Sequence, residues 1–373
     1  MILISNQKNL EDLVKILEKL SIISLDTEFA IYTEDEYFPR LSIIQIAYYE
    51  NDIQKFAIID ILSKEITSFI SLKAILSNKN IIKIIHSSLH DISVMSSCFG
   101  CKINGVFDTQ IAYSMQKSQS TPIGYSTLSK ELFNADIDKT YQYSKWLKRP
   151  IKNEMLEYAK IDVVYLHAAY EILQKEITEN GNIQYFESDM KHLNEMLALK
   201  TRFSYKKIEI QEQNYSTIEK SRIYLLSNFR ETLAIKMNLS LNILMPQDVL
   251  LNVIKLKYED MIEEVSSYNI ILIEILDFIK EEDWNFANQI FNHDFLSKNI
   301  NKMHSVSTKI NSIVDNVSMK YKISKFILAS SNELKFLTKS IIASQDITRE
   351  NLNILNFWRF ELFGKKIIDL LNL

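Results

Sequence analysis

The chain has 373 residues, of which 47% are hydrophobic and 11% aromatic, with only 5 glycines and 4 prolines. This length exceeds one domain of usual size, so we expect two or three domains with substantial cores rather than a loop-rich or repeat protein. The formal net charge of −4 excludes a general electrostatic attraction to nucleic acid. Any polyanionic partner must therefore be held by a local basic patch or by metal ions.

No apolar run approaches the roughly 18 residues of a membrane span, and the N-terminus lacks the basic and then apolar pattern of a secretory signal. We therefore expect a soluble cytoplasmic protein with no membrane association. Both cysteines lie in Cys98-Phe-Gly-Cys101, which could supply only half of a four-cysteine zinc site. The surrounding pattern is not typical of thioredoxin-like proteins, so we interpret both as reduced structural thiols.

The N-terminal segment alternates between apolar runs and an amphipathic stretch. Met1–Ile4 predicts a short strand, and Asn9–Leu20 predicts an amphipathic helix. Three further apolar runs predict strands, and their short polar connections suit antiparallel neighbours. These strands are Ile22–Phe29, Leu41–Tyr49 and Phe56–Ile61. The polar segment 31–40 is predicted to be an exposed loop.

Two carboxylates lie at the end of the first of these strands, in Ser24-Leu-Asp26-Thr-Glu28-Phe. Side chains two residues apart on a strand share a face, so Asp26 and Glu28 project together. Such a pair repels itself and raises its own pKa unless a cation lies between, and oxygen ligands favour Mg²⁺ or Mn²⁺. A surface turn after the strand is the alternative.

A third candidate carboxylate follows the apolar strand predicted at Ile81–Ile85. That strand leads through His86-Ser-Ser-Leu-His90-Asp91 into a helix, and a mixed sheet usually holds its chemistry at such a place. His86 and His90 have the spacing of a zinc pair, but no His-Glu-x-x-His pattern accompanies them, so we assign them local hydrogen-bonding roles. Further on, Asp108 is predicted to cap the next helix.

The next part of the chain combines a loop with a basic, aromatic segment. The polar stretch 117–125 is predicted to be a mobile loop. Within 138–150, basic residues alternate with aromatic ones and include Trp146 and Arg149, the mixture that a single-stranded nucleic acid needs for phosphate contacts and stacking. A packed tryptophan among solvated lysines explains this segment equally well.

A long helix is predicted from Met155 to about Thr178. Tyr158 and Asp162 are four residues apart and therefore lie on the same helical face. A helical aspartate inside an apolar stretch is unusual unless it is paired or binds a metal ion. Asp162 is thus a fourth candidate carboxylate, with a phenol beside it.

The ordered set of Asp26-Thr-Glu28, Asp91 and Tyr158-Ala-x-x-Asp162 resembles the motifs of the DEDD exonucleases in their tyrosine variant. Together with Phe107-Asp-Thr-Gln and Trp146-Leu-x-Arg-Pro, these motifs make about residues 1–190 similar to the ribonuclease D family. The histidine subclass would place a histidine at position 157, where this chain has a glutamate. The resemblance therefore implies the tyrosine subclass.

The resemblance implies an α/β exonuclease domain over residues 1–192, with the ribonuclease H-like fold of a mixed central sheet flanked by helices. By analogy, Asp26, Glu28 and Asp162 bind one of two Mg²⁺ or Mn²⁺ ions, and Asp26 and Asp91 serve the other. Two such ions, about 3.5–4 Å apart, neutralise the attacking and leaving oxygens of a phosphodiester. Tyr158 would position the water, by orientation more than by proton removal. The implied substrate-binding residues are Thr27, Phe29, His86, Trp146 and Arg149.

Beyond the polar break at 204–213 the pattern is helical. The stretch 225–251 looks like the helicase-and-RNase-D C-terminal (HRDC) module, with Phe229 at the position of the usual tryptophan. The resemblance implies an all-α HRDC domain at 211–291 and a helical domain at 292–373, a possible diverged second copy. Its lysines, which include Lys302 and Lys309, form either a phosphate-binding surface or an ordinary solvated one.

Together with the acidic set, the resemblance implies a metal-dependent 3′→5′ exoribonuclease, acting as a monomer. It would release nucleoside 5′-monophosphates and trim the 3′ ends of tRNA precursors and other small structured RNAs. A DNA exonuclease would use the same carboxylates, but no polymerase-sized domain follows and the HRDC-like module favours RNA. A non-catalytic RNA-binding protein is the other alternative, and the intact acidic set argues against it.

Overall fold

The computed structural model describes residues 1–31, 33–118, 121–193, 206–268, 279–343 and 357–370. Contacts divide the chain into two compact units. The first comprises Met1–Tyr32, Phe38–Asn194 and Ser318–Ile327, and the second comprises Thr33–Tyr37, Glu195–Val317 and Leu328–Leu373. The expected boundary between residues 291 and 292 thus lies inside the second unit.

A six-stranded mixed sheet forms the centre of the first unit, with the strand order β1-β4-β3-β2-β5-β6. Strands β2, β3 and β4 are antiparallel neighbours, as the short connections predict, whereas β1–β4, β2–β5 and β5–β6 are parallel pairs. The five strands predicted from apolar runs are confirmed, and β6 is an addition. The strands are β1 (Ile2–Ile4), β2 (Ile22–Ala30), β3 (Arg40–Glu50), β4 (Ile53–Asp60), β5 (Ile82–Ile85) and β6 (Val106–Asp108).

Helices accompany this sheet, which agrees with the predicted α/β architecture. Residues Ser318–Ile327 belong to the same unit, where the Ser324 amide donates to the Ser114 carbonyl at 2.7 Å and the Asn182 side chain donates to the Tyr321 carbonyl at 2.8 Å. The helices up to residue 191 are α1 (Gln7–Leu17), α2 (Ile70–Ser77), α3 (Leu89–Phe99), α4 (Thr109–Ser114), α5 (Tyr125–Phe133), α6 (Asn153–Val164), α7 (Leu166–Glu179) and α8 (Ile183–Lys191).

The prediction of one continuous helix from Met155 to Thr178 is wrong, because the chain breaks between α6 and α7 at Tyr165. The Tyr125 hydroxyl donates to the Ile161 carbonyl at 3.1 Å and accepts from the Tyr165 amide at 3.3 Å. In an uninterrupted α-helix that amide would donate to that same carbonyl. A side chain inserted into the backbone ladder is a known cause of such breaks.

The second unit is helical in its described residues, as predicted. Phe229 is 1% exposed in its core, so the phenylalanine at this position is a packing residue. The guanidinium of Arg222 stacks 4.6 Å from the Trp284 ring and donates to the carbonyls of Trp284 and Ile254 at 3.0 and 2.8 Å. A buried cation is thereby satisfied within an apolar core.

The helices beyond residue 216 differ widely in length. Among the described residues, none of them is long and apolar enough to cross a membrane. They are α9 (Thr217–Met237), α10 (Leu241–Leu244), α11 (Gln247–Val253), α12 (Tyr258–Tyr268), α13 (Glu281–Asn285), α14 (His293–Lys298), α15 (Ile300–Tyr321), α16 (Lys325–Leu328), α17 (Ser331–Ile342), α18 (Phe357–Arg359) and α19 (Lys365–Leu370), with a π-helical turn at Phe360–Gly364.

Candidate active site

The central strand β2 carries Asp26 and Glu28 towards one face of the sheet. Asp26 lies opposite Gln45 of β3, and Glu28 lies opposite Ile43. The pairing shifts immediately after Glu28, where Phe29 pairs with Leu41, so that β3 has an extra residue in a β-bulge. Bulges bend a strand and redirect neighbouring side chains, and this one adjoins a predicted metal ligand.

Arg149 holds the bulge through Ser42, the extra residue of β3. Its guanidinium donates to both carboxylate oxygens of Asp60 at 2.8 and 2.6 Å and to the Ser42 carbonyl at 3.1 Å. The Ser42 hydroxyl in turn donates to the Trp146 carbonyl at 2.6 Å. A bidentate pair of this kind is both strong and directional. Arg149 is therefore a structural clamp beside Glu28, and a contact between Arg149 and substrate stays a prediction.

Trp146 is 1% exposed and packs among residues of the sheet and of α6. Its ring lies 6.0 Å from the Tyr158 ring, with Tyr141 on the same phenol at 6.1 Å. A buried indole cannot stack on a nucleobase in this conformation. The structure therefore argues against the predicted substrate contact of Trp146 and supports the alternative of a packed tryptophan.

Asp91 lies in the first turn of α3, and Asp108 fixes the preceding turn. The amides of Ser87 and Ser88 donate to the Asp108 carboxylate at 3.2 and 2.7 Å, and the Ser88 hydroxyl donates at 2.8 Å. Ser87 has a φ of 57°, a left-handed conformation that such bonds can hold. Asp108 also caps α4 as predicted, accepting from the amide of Gln110. Its role in presenting Asp91 was not foreseen.

Thr27, Phe29 and His86 were predicted to bind substrate. The Thr27 hydroxyl donates to Asp91 at 2.5 Å, which joins β2 to α3. His86 has partners on both ring nitrogens, with Thr109 at 2.9 Å and the Ile123 carbonyl at 3.1 Å, and burial lowers its pKa. This agrees with the local hydrogen-bonding role expected for His86. Phe29 is half-buried on β2, directly after the bulge.

The fourth carboxylate and the phenol come from α6, which packs on β2 and β3. Tyr158 and Asp162 lie one helical turn apart, close enough for each to shift the pKa of the other. Burial raises the pKa of Tyr158, and the negative charges of Asp162, Glu28 and Asp26 raise it further. The phenol therefore stays protonated at neutral pH.

The pKa shifts show that the four predicted carboxylates lie close enough to affect one another. Burial raises the pKa of Asp26 well above its usual value, and repulsion from Asp91, Asp162 and Glu28 adds to the shift. Burial and the charges of Asp162 and Asp91 raise the pKa of Glu28 to about 9. Burial likewise raises the pKa of Asp91 and of Asp162 to about 7. Groups with shared, strongly raised pKa values are typical of functional sites.

Tyr125 is a residue of this site that the sequence interpretation missed. Its hydroxyl lies between Ile161 and Tyr165, on either side of Asp162 in the chain. Burial raises its pKa, and the charges of Asp162 and Asp26 contribute to the shift. Its position at the end of a polar loop gave no signal of this role, because the contact joins residues 36 and 40 positions apart.

The donor set suits a hard divalent cation. All four groups are carboxylates, and such ligands favour Mg²⁺ or Mn²⁺. Gln45, opposite Asp26 on β3, is 0% exposed, and neither polar atom of its side chain has a hydrogen-bond partner in the structure. Across the described residues, no group of three or more aspartate, glutamate, histidine or cysteine side chains is arranged closely enough to hold a metal ion as it stands. The fit thus rests on donor chemistry and mutual repulsion, not on a preformed coordination geometry.

Comparison with known proteins agrees with this site. Residues 1–178 match a family model described as a 3′-5′ exonuclease. Ribonuclease D of Granulibacter bethesdensis is 29% identical over 53% of this chain and 48% of its own length. Ribonuclease D of Desulfotalea psychrophila is 35% identical over 47% of this chain and 45% of its own length. The aligned part thus spans about half the length of these curated relatives.

A solved structure shares the fold along nearly the whole chain. The crystal structure of Escherichia coli RNase D has a TM-score of 0.72 and 23% identity, covering 99% of this chain and 98% of that one. The mixed sheet, the carboxylate site and the family match define a ribonuclease H-like domain of the 3′-5′ exonuclease class. Residues 1–178 thus resemble the 3′-5′ exonucleases, and the chain is similar to bacterial ribonucleases D.

Proposed function

We propose that this protein is a metal-dependent 3′→5′ exoribonuclease that releases nucleoside 5′-monophosphates. The observation that carries the proposal is the convergence of Asp26, Glu28, Asp91 and Asp162 in a domain matching the 3′-5′ exonucleases, where the charges of Asp91 and Asp162 raise the pKa of Asp26 and Glu28. Burying several carboxylates together is costly unless a cation compensates for their charge. A structural role alone gives no reason to keep such a cluster.

The same carboxylates would hold the metal ions. By analogy with the family, Asp26, Glu28 and Asp162 would bind one ion and Asp26 and Asp91 the other. When bound, two divalent ions stabilise the charge that develops on the attacking and leaving oxygens of a phosphodiester. Gln45 lies opposite Asp26, and its unpartnered side-chain oxygen would accept a hydrogen bond from a water molecule there.

Tyr158 would orient the attacking water. Its raised pKa keeps the hydroxyl protonated, so at neutral pH it serves as a hydrogen-bonding group and does not remove a proton itself. The phenol lies beside Asp162, a proposed metal ligand one helical turn away. Trp146 and Tyr141 pack against the ring and restrict its position.

The helical unit supports a ribonuclease more than a deoxyribonuclease. We assign residues 211–291 to an HRDC domain and 292–373 to a possible diverged second copy. The E. coli relative is described as an exoribonuclease involved in structured RNA processing. We propose tRNA precursors and other small structured RNAs with single-stranded 3′ ends as substrates, bound by a monomer.

Side-by-side digestion of RNA and DNA oligonucleotides of one sequence tests this proposal. The expected result is faster shortening of the RNA, because contacts to the 2′-hydroxyl distinguish the two. The Asp162→Asn variant is the matched control and should leave both substrates intact. Faster hydrolysis of the DNA would make the protein a DNA exonuclease. If Asp162→Asn were as active as the unaltered protein, the assignment of the active site would be wrong.

A further inference from the structure

A basic groove crosses the helical unit at a distance in sequence from every proposed catalytic residue. Two adjoining cavities of about 420 and 380 Å³ form it, and they share Lys206, Ile290, Phe291 and Lys339. We call the combined surface the lysine groove. Cavities of this size are comparable to ligand pockets in proteins.

The basic residues of the lysine groove come from well-separated parts of the chain. They are Lys206, Lys220, His293, His304, Lys335 and Lys339, and none of the residues that line the two cavities is acidic. Lys206 donates to the Asn332 side chain at 2.6 Å, which directs its ammonium group towards α17. Burial lowers the pKa of Lys206, and the neighbouring charges of Lys335 and Lys339 lower it further. Like charges brought together in this way are stabilised when an anion binds among them.

The remaining wall of the lysine groove is apolar. Phe291, Met303 and Phe336 line it beside the lysines. Tyr224 braces two of these rings, at 5.7 Å from Phe291 and 6.2 Å from Phe336. A fixed aromatic wall next to ammonium groups is the arrangement that binds single-stranded nucleic acid, with bases against the rings and phosphates on the cations.

We propose that the lysine groove binds a single-stranded segment of RNA, with phosphates on Lys206, Lys335 and Lys339 and bases against the apolar wall. This inference rests on the proposed function and adds a second RNA-binding site outside the catalytic carboxylates. It also singles out lysines beside an apolar wall, in contrast to Lys302 and Lys309, which are exposed on α15 and do not line the cavities. An acidic peptide would match the charge but would gain little from a wall of aromatic rings.

Point variants are a better test than truncation. Residues Ser318–Ile327 belong to the first unit, so cutting the chain after residue 205 would also remove part of the unit that carries the carboxylates. We would compare Lys335→Gln/Lys339→Gln with Lys302→Gln/Lys309→Gln, since both double variants remove the same charge. Binding to single-stranded RNA is measured across a salt series in the full-length Asp26→Asn background, where hydrolysis is expected to be absent.

The groove variant is expected to weaken binding on the order of tenfold and to reduce the slope of log affinity against log salt by about 1.4, or about 0.7 for each lost phosphate contact on a single strand. The control variant should keep the slope of the Asp26→Asn protein. RNA carrying 4-thiouridine should cross-link to peptides from α15 or α17. An unchanged slope in the groove variant, cross-links confined to the first unit, or a groove that holds polyglutamate but not RNA would each overturn the inference.

Activity separates this inference from the proposed function. With the carboxylates intact, Lys335→Gln/Lys339→Gln should hydrolyse a diribonucleotide at the normal rate, because its one phosphodiester is held at the carboxylate site and leaves no further phosphate for the groove. It should process a 20-nucleotide RNA more slowly at low substrate concentration. If the unaltered protein shortens no RNA, the proposed function fails. If it shortens RNA and the groove variant matches it on both substrates, only the groove inference fails.

Discussion

The hydroxyl of Thr27 lies 2.5 Å from a carboxylate oxygen of Asp91, and this hydrogen bond joins the central strand to the first turn of α3. It lowers the pKa of Asp91, against the larger effect of burial, which raises it to about 7. Thr27 lies between Asp26 and Glu28, so one strand supplies two candidate metal ligands and the group that orients a third. This relationship gives the first prediction.

Thr27→Val removes the hydroxyl while keeping the shape of the side chain. A hydrogen bond to a charged group is worth about 1.5–3 kcal/mol, so kcat/KM for RNA should fall by about 10- to 150-fold. Thr27→Ser retains the donor and should stay close to the unaltered protein. Single-turnover hydrolysis at saturating Mg²⁺ checks this, and a normal rate in the valine variant would show that the bond does not serve Asp91.

The second prediction concerns stability against pH in the metal-free protein. The carboxyl pKa values rise on folding, from 3.8 and 4.5 to about 7 for Asp91 and Asp162 and about 9 for Glu28. The folded state therefore holds protons that the unfolded chain has released across this window. The stability contribution of these groups is fully present below about pH 4 and is lost as the pH rises towards 9.

Asp162→Asn should consequently melt at a higher temperature than the unaltered protein at pH 8, and the difference should vanish near pH 4. Each kcal/mol of repulsion removed corresponds to roughly 2–4 °C in a domain of this size. Added Mg²⁺ or Mn²⁺ should stabilise the unaltered protein more than the variant. Calorimetry without metal at the two pH values tests this, and an unchanged or lower melting temperature of the variant at pH 8 would contradict the shared site.

Tyr158→Phe should slow hydrolysis by about 10²–10⁴-fold, a usual range for a group that handles or orients a reacting proton. The affinities for Mn²⁺ and for RNA should remain unchanged, because the carboxylates and the ring are retained. Tyr141→Phe is the control. Tyr141 packs on Tyr158, and this substitution removes only the hydroxyl of the neighbouring ring. Normal single-turnover rates in Tyr158→Phe would reassign Tyr158 to helix packing.

Tyr125→Phe removes the hydroxyl inserted between Ile161 and Tyr165. Loss of this partner leaves buried backbone groups unsatisfied, at a cost of about 1–3 kcal/mol. We expect a lower melting temperature, faster amide exchange at the junction of α6 and α7, and slower hydrolysis through displacement of Asp162. Tyr165→Phe should show none of these effects. If Tyr125→Phe and Tyr165→Phe behaved alike, Tyr125 would have no role in positioning Asp162.

Local patterns predicted most of the first unit correctly. The strands follow from apolar alternation, which depends on neighbouring residues. The assignment of Asp26, Glu28, Asp91 and Asp162 as metal ligands stays a prediction. The break between α6 and α7 depends instead on Tyr125, 40 residues before Tyr165, and no local pattern contains that information. A basic and aromatic segment likewise looks the same whether its tryptophan is exposed or, like Trp146, buried.

Longer-range relationships were also inaccessible from the sequence. Residues 318–327 have the composition of a helical domain but belong to the first unit, where the Ser324 amide bonds to the Ser114 carbonyl at 2.7 Å. The lysines of the groove begin at Lys206 and end at Lys339, and only folding brings them together. Charge counting along the chain pointed to other lysines, such as Lys302 and Lys309, and left open whether they bind phosphate or are only solvated.

The most direct test of the account follows single-stranded RNA labelled at its 5′ end, incubated with the unaltered protein and with Asp26→Asn. With Mg²⁺ or Mn²⁺, the unaltered protein should shorten the RNA one nucleotide at a time from the 3′ end and release nucleoside 5′-monophosphates. A chelator or the Asp26→Asn change should stop the reaction. Internal cleavage, shortening from the 5′ end, or undiminished activity in the chelator or in the variant would contradict it.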